Sequence, residues 1–200
     1  MPVTSIITIG AVYLACYLIG AINFSLIAAA LFLKRNLRDA GSGNPGFTNL
    51  LRLGNKKVAI SALLLDIARG WLVMRGCAIL PMETFWPFMA LSLILGNLFP
   101  VFHGFRGGKG IAMSIGIIFA ICPWGGLAGA VTLVAMILIW KRVSAGSLCF
   151  LLSAAITAFL LAPSSVWQVC FVLCAVGIWT HRQNLQRLAS GTEPRIFSPK

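Results

Sequence analysis

The chain has 200 residues, of which 59% are hydrophobic and 10% charged, an apolar share well beyond that of an average soluble domain. Sixteen Lys and Arg residues against four Asp and Glu residues give a formal net charge of +12. These values exclude an ordinary soluble domain and indicate an integral membrane protein. Its positive charge must be concentrated in a few loops, which suits cytoplasmic loops and anionic ligands.

The first apolar segment, 3–33, contains no charged residue. It is longer than the apolar region of a signal peptide and lacks the basic residues that normally precede one, so it is predicted to be an uncleaved first span. Lys34, Arg35 and Arg38 follow it directly. Because positively charged loops face the cytoplasm, this bias predicts an N-terminus outside and a cytoplasmic next loop.

That loop contains the segment GSGNPGFTNLLR at 41–52, which is too rich in turn-forming residues to be membrane core. A glycine-rich turn that leads into a helix presents free backbone N–H groups, which favour a bound phosphate or carboxylate. Gly41, Gly43 and Gly46 match the letters of the dinucleotide motif G-x-G-x-x-G. No strand is predicted before them and no βαβ unit after them, so the match does not indicate a dinucleotide fold.

The second predicted span, 58–80, is interrupted by Asp66 and Arg69, which lie on one helix face and can pair with each other. The third predicted span, 84–102, leads into a second glycine-rich loop, GFRGGKG at 104–110. This loop lacks the Ser or Thr that holds Mg²⁺ in a nucleotide-binding P-loop. Its glycines and lysine still suit a phosphate, so the two loops are predicted to form one anion site at the membrane surface.

The segment 111–140 allows two interpretations. The apolar run 111–122 is short for a full crossing and residues 123–126 break the pattern, so 111–140 is either two short helices that approach through Gly125 and Gly129, or one broken span. The last two predicted spans are 146–161 and 166–180, followed by a basic tail. The chain is predicted to be an all-α polytopic membrane protein with about seven transmembrane helices. It forms a single domain over 1–200, with its N-terminus outside and its C-terminus in the cytoplasm.

Four stretches reach the cytoplasmic face in this topology, namely 34–57, 103–110, 141–147 and 181–200. They carry nearly all the positive charge, which the ordinary bias toward positive cytoplasmic loops explains by itself. That bias does not require the glycine clusters beside Arg52 and Lys109, because close approach of the backbone to a ligand needs glycine whereas orientation needs only charge. The six cysteines form no C-x-x-C pair and only two histidines accompany them, so no metal site is predicted.

Three segments carry a family resemblance, in order and at suitable spacing over nearly the whole chain. They are GSGNPGFTNLLR at 41–52, LGNLFPVFHGFRGGKGIA at 95–112 and HRQNLQRLASGTE at 181–193. They resemble the three cytoplasmic motifs of the bacterial membrane glycerol-3-phosphate acyltransferases that use acyl phosphate, the PlsY family. The segment LLLDIARG at 63–70 is similar to that family's second span.

The resemblance implies transfer of a fatty acyl group from acyl phosphate to the 1-hydroxyl of glycerol 3-phosphate, which gives lysophosphatidate and phosphate in the first step of phospholipid synthesis. It also implies a seven-helix protein of the bacterial inner membrane with its active site on the cytoplasmic face. The expected partners are glycerol 3-phosphate, fatty acyl phosphate and the surrounding lipid, and the expected functional unit is a monomer. No metal, nucleotide, coenzyme A or nucleic acid is expected.

The predicted catalytic residues are Ser42, Arg52, Lys109 and His181, of which Ser42 and Arg52 fall on the essential Ser and Arg of the family's first motif. Arg52 suits bidentate contact with phosphate oxygens, and Lys109 suits a point charge beside them. The residues predicted to bind substrate are Gly41, Gly43, Asn44, Thr48, Asn49, Gly107, Gly108, Gly110, Ser144 and Asn184. Glu193 is expected to have a structural role near the site.

The implied chemistry is mostly a matter of proximity, because acyl phosphate already carries a good leaving group and two phosphates must be held close together. Ser42, Asn44 and loop N–H groups are candidate donors to the acyl oxygen. A substrate phosphate oxygen is expected to accept the hydroxyl proton, with His181 orienting or assisting. The alternative is that His181 is the general base.

The sequence also departs from the family pattern. The family usually has His at 97, Ala at 47, Lys at 69 and 106, and Ser-Ile-Pro at 21–23, where this chain has Asn97, Phe47, Arg69, Arg106 and Ala21-Ile22-Asn23. Asn97 and Phe47 border the predicted site, so these two positions bear on substrate choice and activity.

Two rival classes fit the sequence less well. A transporter of anionic solutes would place charge near the midplane of several spans, and only Asp66 and Arg69 qualify. A non-enzymatic lipid-binding protein would need basic loops but not their pattern of glycine, serine and asparagine.

Overall fold

The computed structural model describes residues 3–53 and 55–196, with the backbone alone for 3–5. Every regular element within these ranges is helical. The α-helices are α1 Val3–Gly20, α2 Phe24–Ala28, α3 Phe47–Arg52, α4 Lys56–Cys77, α5 Trp86–Leu98, α6 Ile111–Ile121, α7 Pro123–Trp140, α8 Val143–Leu161, α9 Ser164–Thr180 and α10 Arg182–Ala189. A π-helical turn, Ala29–Leu33, continues α2. Short 3₁₀ turns lie in the connections at Leu37–Asp39, Glu83–Phe85 and Val101–His103.

Four segments of the described chain are long and apolar enough to cross a membrane, and α9 and α10, which meet at a bend of 61°, form a fifth candidate together. The four segments are Ile6–Leu33, Glu83–His103, Pro123–Trp140 and Val143–Leu161. α4 has 22 residues but carries Asp66 and Arg69 in its middle, and α6 has only 11 residues. The all-helical membrane class is therefore confirmed, whereas the count of about seven spans and the outside N-terminus stay predictions.

The first predicted span is present, but its helix is interrupted between α1 and α2. α1 ends at Gly20, and Asn23 has an extended backbone while its Oδ1 accepts a 2.9 Å hydrogen bond from the Leu26 N–H. A side-chain oxygen in this position satisfies a free N–H and favours a new helix start. At this interruption the carbonyls of Ile19 and Gly20 each accept a 3.2 Å hydrogen bond from Arg69 of α4, and Ile19 O also accepts the Ile22 N–H.

α6 and α7 are two helices of 11 and 18 residues, which favours the interpretation of 111–140 as two helices, but α7 is not short, because it is long and apolar enough to cross a membrane. Cys122 separates them with a non-helical backbone (φ −143°, ψ 76°), and a proline takes the first position of α7, where its missing N–H is no loss. Gly125 and Gly129 pack differently from the prediction. An added Cβ would lie 2.6 Å from the Phe150 ring at Gly129 and 3.1 Å from Ala154 O at Gly125. These two glycines therefore bring α7 close to α8.

Two hydrophobic cores hold the helices together. The larger core contains buried residues of α1, α4, α5, α6, α8 and α9. The smaller core joins α2 and α3 to the start of α4 through residues such as Leu26, Leu50 and Ala59. Phe47, one of the departures from the family pattern, packs against this smaller core. The smaller core therefore positions the glycine-rich loop that immediately precedes α3.

Candidate active site

The first glycine-rich loop is folded around the side-chain amide of Asn49. This buried residue donates to Leu37 O (2.8 Å) and Ala40 O (2.9 Å), and its Oδ1 accepts from the Ser42 N–H (2.9 Å). Gly41 has a φ of +63°, and a side chain there would overlap Asn49 Oδ1, so the close approach requires glycine. Asn49 and Gly41 therefore maintain the shape of the loop, and their contact with substrate stays a prediction.

The backbone of this loop offers fewer free N–H groups than predicted. The N–H groups of Ser42, Gly43 and Gly46 bond to other atoms of the same region, and α3 has only six residues. Within the segment 41–52, the polar side chains that have no hydrogen-bond partner in the described part of the chain are those of Ser42, Asn44, Thr48 and Arg52. These side chains, and not a cradle of backbone N–H groups, are what the loop leaves available to a ligand.

The second glycine-rich loop is fastened to the end of α5. The N–H groups of Gly107 and Gly108 donate to Leu98 O (2.9 Å) and Asn97 O (3.2 Å) respectively. Both N–H groups therefore already have a partner, and contact of these two glycines with substrate stays a prediction. An added Cβ at Gly107 would overlap Asn97 O, and one at Gly108 would lie 3.2 Å from Pro45 O of the first loop. The glycines therefore bring both loops and α5 into close contact.

Arg38 ties the two loops together. Its guanidinium donates to His103 O (2.7 Å) and to Arg106 O (2.6 and 3.0 Å). Charge patterning alone assigns Arg38 to membrane orientation, because a basic residue next to a span is expected there whatever its contacts. In the sequence, only the position of Arg38 directly before the first glycine-rich loop indicated that it could connect the two loops. The second loop ends at Gly110, whose φ of +80° turns the chain into α6.

A chain of hydrogen bonds joins the second loop to the C-terminal tail. Lys109 Nζ donates to Asn184 Oδ1, and Asn184 Nδ2 donates to Glu193 Oε1 at 2.7 Å. Glu193 is buried and also accepts from Ser144 Oγ (2.6 Å) and Arg187 Nε (2.8 Å). Glu193 therefore anchors the predicted residues Ser144 and Asn184, as its expected structural role requires. Arg187 was not identified from the sequence.

Lys109 is the charged group at the centre of this arrangement. Burial lowers the pKa of Lys109 to about 8, with Glu193 acting to raise it and the charges of Arg187 and Arg52 acting to lower it. The ammonium group and the Arg52 guanidinium are therefore within electrostatic reach of each other. Burial alone would raise the pKa of Glu193, but hydrogen bonds from its neighbours hold that pKa below its ordinary value. A bound anion would stabilise the two cations.

His181 lies immediately after the last residue of α9 and outside the predicted span. It is only 2% exposed, and its Nδ1 is 2.8 Å from Gly177 O. A carbonyl oxygen can only accept, so Nδ1 carries the proton and Nε2 keeps its lone pair. Burial and then the charge of Lys109 lower the pKa of His181 to about 4. The imidazole is therefore neutral at neutral pH.

The structure thus joins Lys109, Ser144, Asn184 and Glu193 by hydrogen bonds, and the charge of Arg52 contributes to the lowered pKa of Lys109. Ser42, Asn44 and Thr48 make no hydrogen bond to these four residues and belong to the surface of the first loop. Residues 3–53 and 55–196 contain no group of three His, Cys, Asp or Glu side chains that could hold a metal ion. What converges here is positive charge and hydroxyl or amide donors, which suits anionic oxygen.

The chain matches the family model described as glycerol-3-phosphate acyltransferase over residues 10–191. It is 40% identical over 196 residues to the glycerol-3-phosphate acyltransferase of Thioalkalivibrio sulfidiphilus, with 93% of each chain covered. It is 37% identical over 203 residues to that of Nitrosospira multiformis, with 94% of this chain and 96% of the relative covered.

Two solved structures are similar to the whole fold. The crystal structure of PlsY, an integral membrane glycerol 3-phosphate acyltransferase, in its glycerol 3-phosphate form has a TM-score of 0.88 at 32% identity. The lysophosphatidic acid form has a TM-score of 0.84 at 33% identity. In both cases 94% of this chain and 95% of the solved chain are covered. The sequence motifs, the family model and the shared fold agree, and this chain belongs to the glycerol-3-phosphate acyltransferase family.

Proposed function

We propose that the protein transfers a fatty acyl group from acyl phosphate to the 1-hydroxyl of glycerol 3-phosphate, giving lysophosphatidate (1-acyl-glycerol 3-phosphate) and phosphate. The observation that carries this proposal is the junction of the two glycine-rich loops, where Gly108 packs close to Pro45 and Arg38 bonds to the His103 and Arg106 carbonyls. This junction brings together the segments that carry Arg52 and Lys109. Two cations at one site suit a reaction in which donor and acceptor each carry a phosphate of about −1.5 to −2 charge. The forms of the solved PlsY structures, with glycerol 3-phosphate and with lysophosphatidic acid, also support it.

The reaction needs positioning more than it needs acid catalysis. The hydroxyl oxygen of glycerol 3-phosphate attacks the acyl carbon, the bond from that carbon to the phosphate oxygen breaks, and phosphate leaves with the electron pair. Arg52 can hold phosphate oxygens through two parallel N–H bonds, and Lys109 adds a point charge. Once both phosphates are bound, the reacting atoms already lie close together, so the loss of entropy needed to bring them together occurs on binding and not in the chemical step. Ser42 and Asn44 are the proposed donors to the acyl oxygen.

The hydroxyl proton passes to a substrate phosphate oxygen in this proposal. A phosphate group with its second pKa at about 6 holds a proton better near neutral pH than an imidazole whose pKa is lowered to about 4. His181 has its Nδ1 committed to Gly177 O, so its Nε2 can accept a hydrogen bond from the attacking hydroxyl and orient it. In this proposal His181 therefore orients the attacking hydroxyl and does not accept its proton.

The pH dependence of kcat/KM for glycerol 3-phosphate tests these roles. Burial lowers the pKa of Lys109 to about 8, so the protonated form that binds phosphate is lost as the pH rises, and kcat/KM is expected to fall through about pH 8. Lys109→Arg, which stays protonated, is expected to move this alkaline limb to higher pH. His181→Gln is expected to keep the shape of the profile between about pH 6 and 8. An ionisation that disappears in His181→Gln would instead identify His181 as the general base.

We place the site at the cytoplasmic face of the bacterial inner membrane. Seven crossings, formed by α1 with α2 and by α4 to α9, put the N-terminus outside and the basic stretches 34–57, 103–110, 141–147 and 181–200 on the cytoplasmic side. This orientation follows the positive charge and the location of a water-soluble acceptor. A monomer is the proposed functional unit.

The direct test supplies the purified protein in detergent micelles with labelled glycerol 3-phosphate and either palmitoyl phosphate or palmitoyl-CoA. Lysophosphatidate is expected from palmitoyl phosphate alone. Arg52→Ala is expected to lose at least about 10²-fold in kcat/KM, because a fixed donor to a substrate phosphate is removed. Arg35→Ala removes an exposed arginine from the same basic stretch and serves as the matched control with wild-type rates. Product from palmitoyl-CoA, or no product from either donor with folded protein, would overturn the proposed reaction.

A further inference from the structure

A buried polar cluster lies where the first span is interrupted. Arg69 of α4 donates to Asp66 Oδ1 at 2.7 Å and to Asn97 Oδ1 of α5 at 3.2 Å. The same guanidinium donates to two carbonyls at the end of α1, those of Ile19 and Gly20, at 3.2 Å each. Asp66, Arg69 and Asn97 are 7%, 6% and 5% exposed. These three side chains, named here the Asp66 cluster, connect α1, α4 and α5.

The cluster reaches the second glycine-rich loop through a single residue. Asn97 accepts from Arg69 with its side chain, and its carbonyl accepts the Gly108 N–H at 3.2 Å. Gly108 precedes Lys109 in the chain and packs close to Pro45 of the first loop. A displacement of Asn97 would therefore displace Gly108, and with it the adjacent Lys109.

The first loop has its own contact with the interruption. Asn23, which caps α2, donates from Nδ2 to Pro45 O at 3.3 Å. The next residue, Phe24, stacks on the Arg69 guanidinium, whose central carbon is 5.4 Å from the ring centroid. Arg69 is thus connected to Pro45 of the first loop through α2 and to Gly108 of the second loop through α5. Both loops are therefore connected, each through one intervening segment, to the same buried guanidinium.

Stability alone does not explain a buried cluster of this kind. The cost of removing two charges from water largely cancels their attraction, and apolar side chains of similar volume often stabilise a fold as well or better. Three elements meet at one planar group, and the fork geometry of a guanidinium defines their mutual orientation in a way that apolar packing does not. The feature that distinguishes the cluster is therefore the geometry that it imposes.

We propose that the Asp66 cluster positions the two glycine-rich loops for acyl transfer and thereby sets the separation of Arg52 and Lys109. The cluster contacts no substrate and acts through the backbone of Asn97 and Pro45. This inference rests on the proposed function, since the separation of the two cations matters when they hold substrate phosphates.

The double variant Asp66→Leu with Arg69→Met separates positioning from stability. It removes both buried charges together, so no unpaired charge is left. Asn97 Oδ1 and the Gly20 carbonyl lose their donor, so the melting temperature is expected to fall only modestly and the protein to stay folded. The loops lose their common support, so KM for glycerol 3-phosphate is expected to rise by at least about tenfold. Asn97→Ala keeps the ion pair and the carbonyl bonded to Gly108, and is expected to raise the same KM by a smaller factor.

Ser25→Ala is the matched control. Ser25 is 1% exposed, and its hydroxyl has no hydrogen-bond partner within the described chain. It lies at the same interruption but is not bonded to either loop, so the control is expected to keep the wild-type KM and kcat. Wild-type KM in a folded double variant would overturn the proposal, as would an equal rise in KM in Ser25→Ala.

The proposed function and this inference fail in different ways. Absence of lysophosphatidate from the wild type overturns the proposed reaction and leaves the variants to be compared by the dissociation constant of labelled glycerol 3-phosphate. In that measurement the double variant is again expected to bind at least about tenfold more weakly than the wild type and Ser25→Ala. Equal binding by all three proteins would overturn the positioning role.

Discussion

Lys109→Met is expected to lower kcat/KM for glycerol 3-phosphate by about 10²- to 10³-fold, as when one fixed donor that stabilises developing charge is removed. Lys109 is the lysine of the second glycine-rich loop, and the charge of Arg52 is among those that lower its pKa. Burial holds the pKa of Lys109 down at about 8, so its charged form is disfavoured in the free protein and is stabilised when an anion binds. The methionine keeps the apolar stem but not the charge.

Initial rates with palmitoyl phosphate measure this loss, and thermal unfolding reports whether the variant is folded. Relief of the desolvation of Lys109 opposes the loss of its hydrogen bond to Asn184, so Lys109→Met is expected to unfold at a temperature close to that of the wild type. Lys57→Met is the matched control, because Lys57 is an exposed lysine in α4 within the predicted cytoplasmic stretch 34–57. Wild-type kcat/KM in Lys109→Met, or an equal loss in Lys57→Met, would contradict the assigned role.

Gly107→Ala is expected to lower kcat/KM for glycerol 3-phosphate by about 10²-fold, because displacement of a substrate-holding group by about 1 Å has effects of this size. The added Cβ would overlap Asn97 O and lie 2.7 Å from both Leu98 O and Pro100 Cδ. Two of these atoms are backbone atoms and the third belongs to a proline ring, so none can rotate away. The loop must move instead, and the hydrogen bond from the Gly107 N–H to Leu98 O is lost or weakened.

Gly104→Ala is the control for this substitution. Gly104 has a φ of +64°, but no atom lies within 4 Å of an added Cβ, so the cost is the strain of about 1–2 kcal/mol that a left-handed backbone imposes on alanine. The rates of Gly104→Ala are expected to stay close to those of the wild type, while Gly107→Ala is impaired at the same concentration of folded protein. Equal rates in the two variants would show that fastening this loop to α5 does not matter for activity.

Much of the architecture can be predicted from the sequence because it depends on local composition. Long apolar runs decide which segments enter a membrane, and clusters of glycine and basic residues mark the connections between them. These properties predicted an all-helical membrane protein with two glycine-rich loops. The helical membrane class is confirmed by the structure. The family is confirmed by the match over residues 10–191.

The hydrogen-bond partners within the site could not be predicted in this way. Glycine-rich loops suggested free N–H groups, but those of Gly107 and Gly108 bond to carbonyls at the end of α5. The amide of Asn49 likewise bonds within its own loop. A backbone N–H finds the nearest acceptor in space, and that acceptor depends on how distant segments pack. The pattern along the chain does not contain this information.

Helix pairing could not be predicted from the sequence either. The spacing of Gly125 and Gly129 permits close packing but does not indicate the partner helix. In the structure this partner is α8 and not α6. The departures from the family pattern show it most clearly. Asn23, Arg69 and Asn97 are far apart in the chain, yet they lie together around the interruption of the first span.

The sequence by itself determined the solvent of this protein, the order of its elements and the residue types of its site, because apolarity, turn formation and charge belong to individual residues and short segments. Only the tertiary structure decided which groups support the loops and which, such as Arg52, stay available to a ligand. It also decided that a buried Arg69 would connect three helices. Those outcomes depend on the packing of helices distant in the chain, where each donor bonds to the acceptor that packing brings within reach.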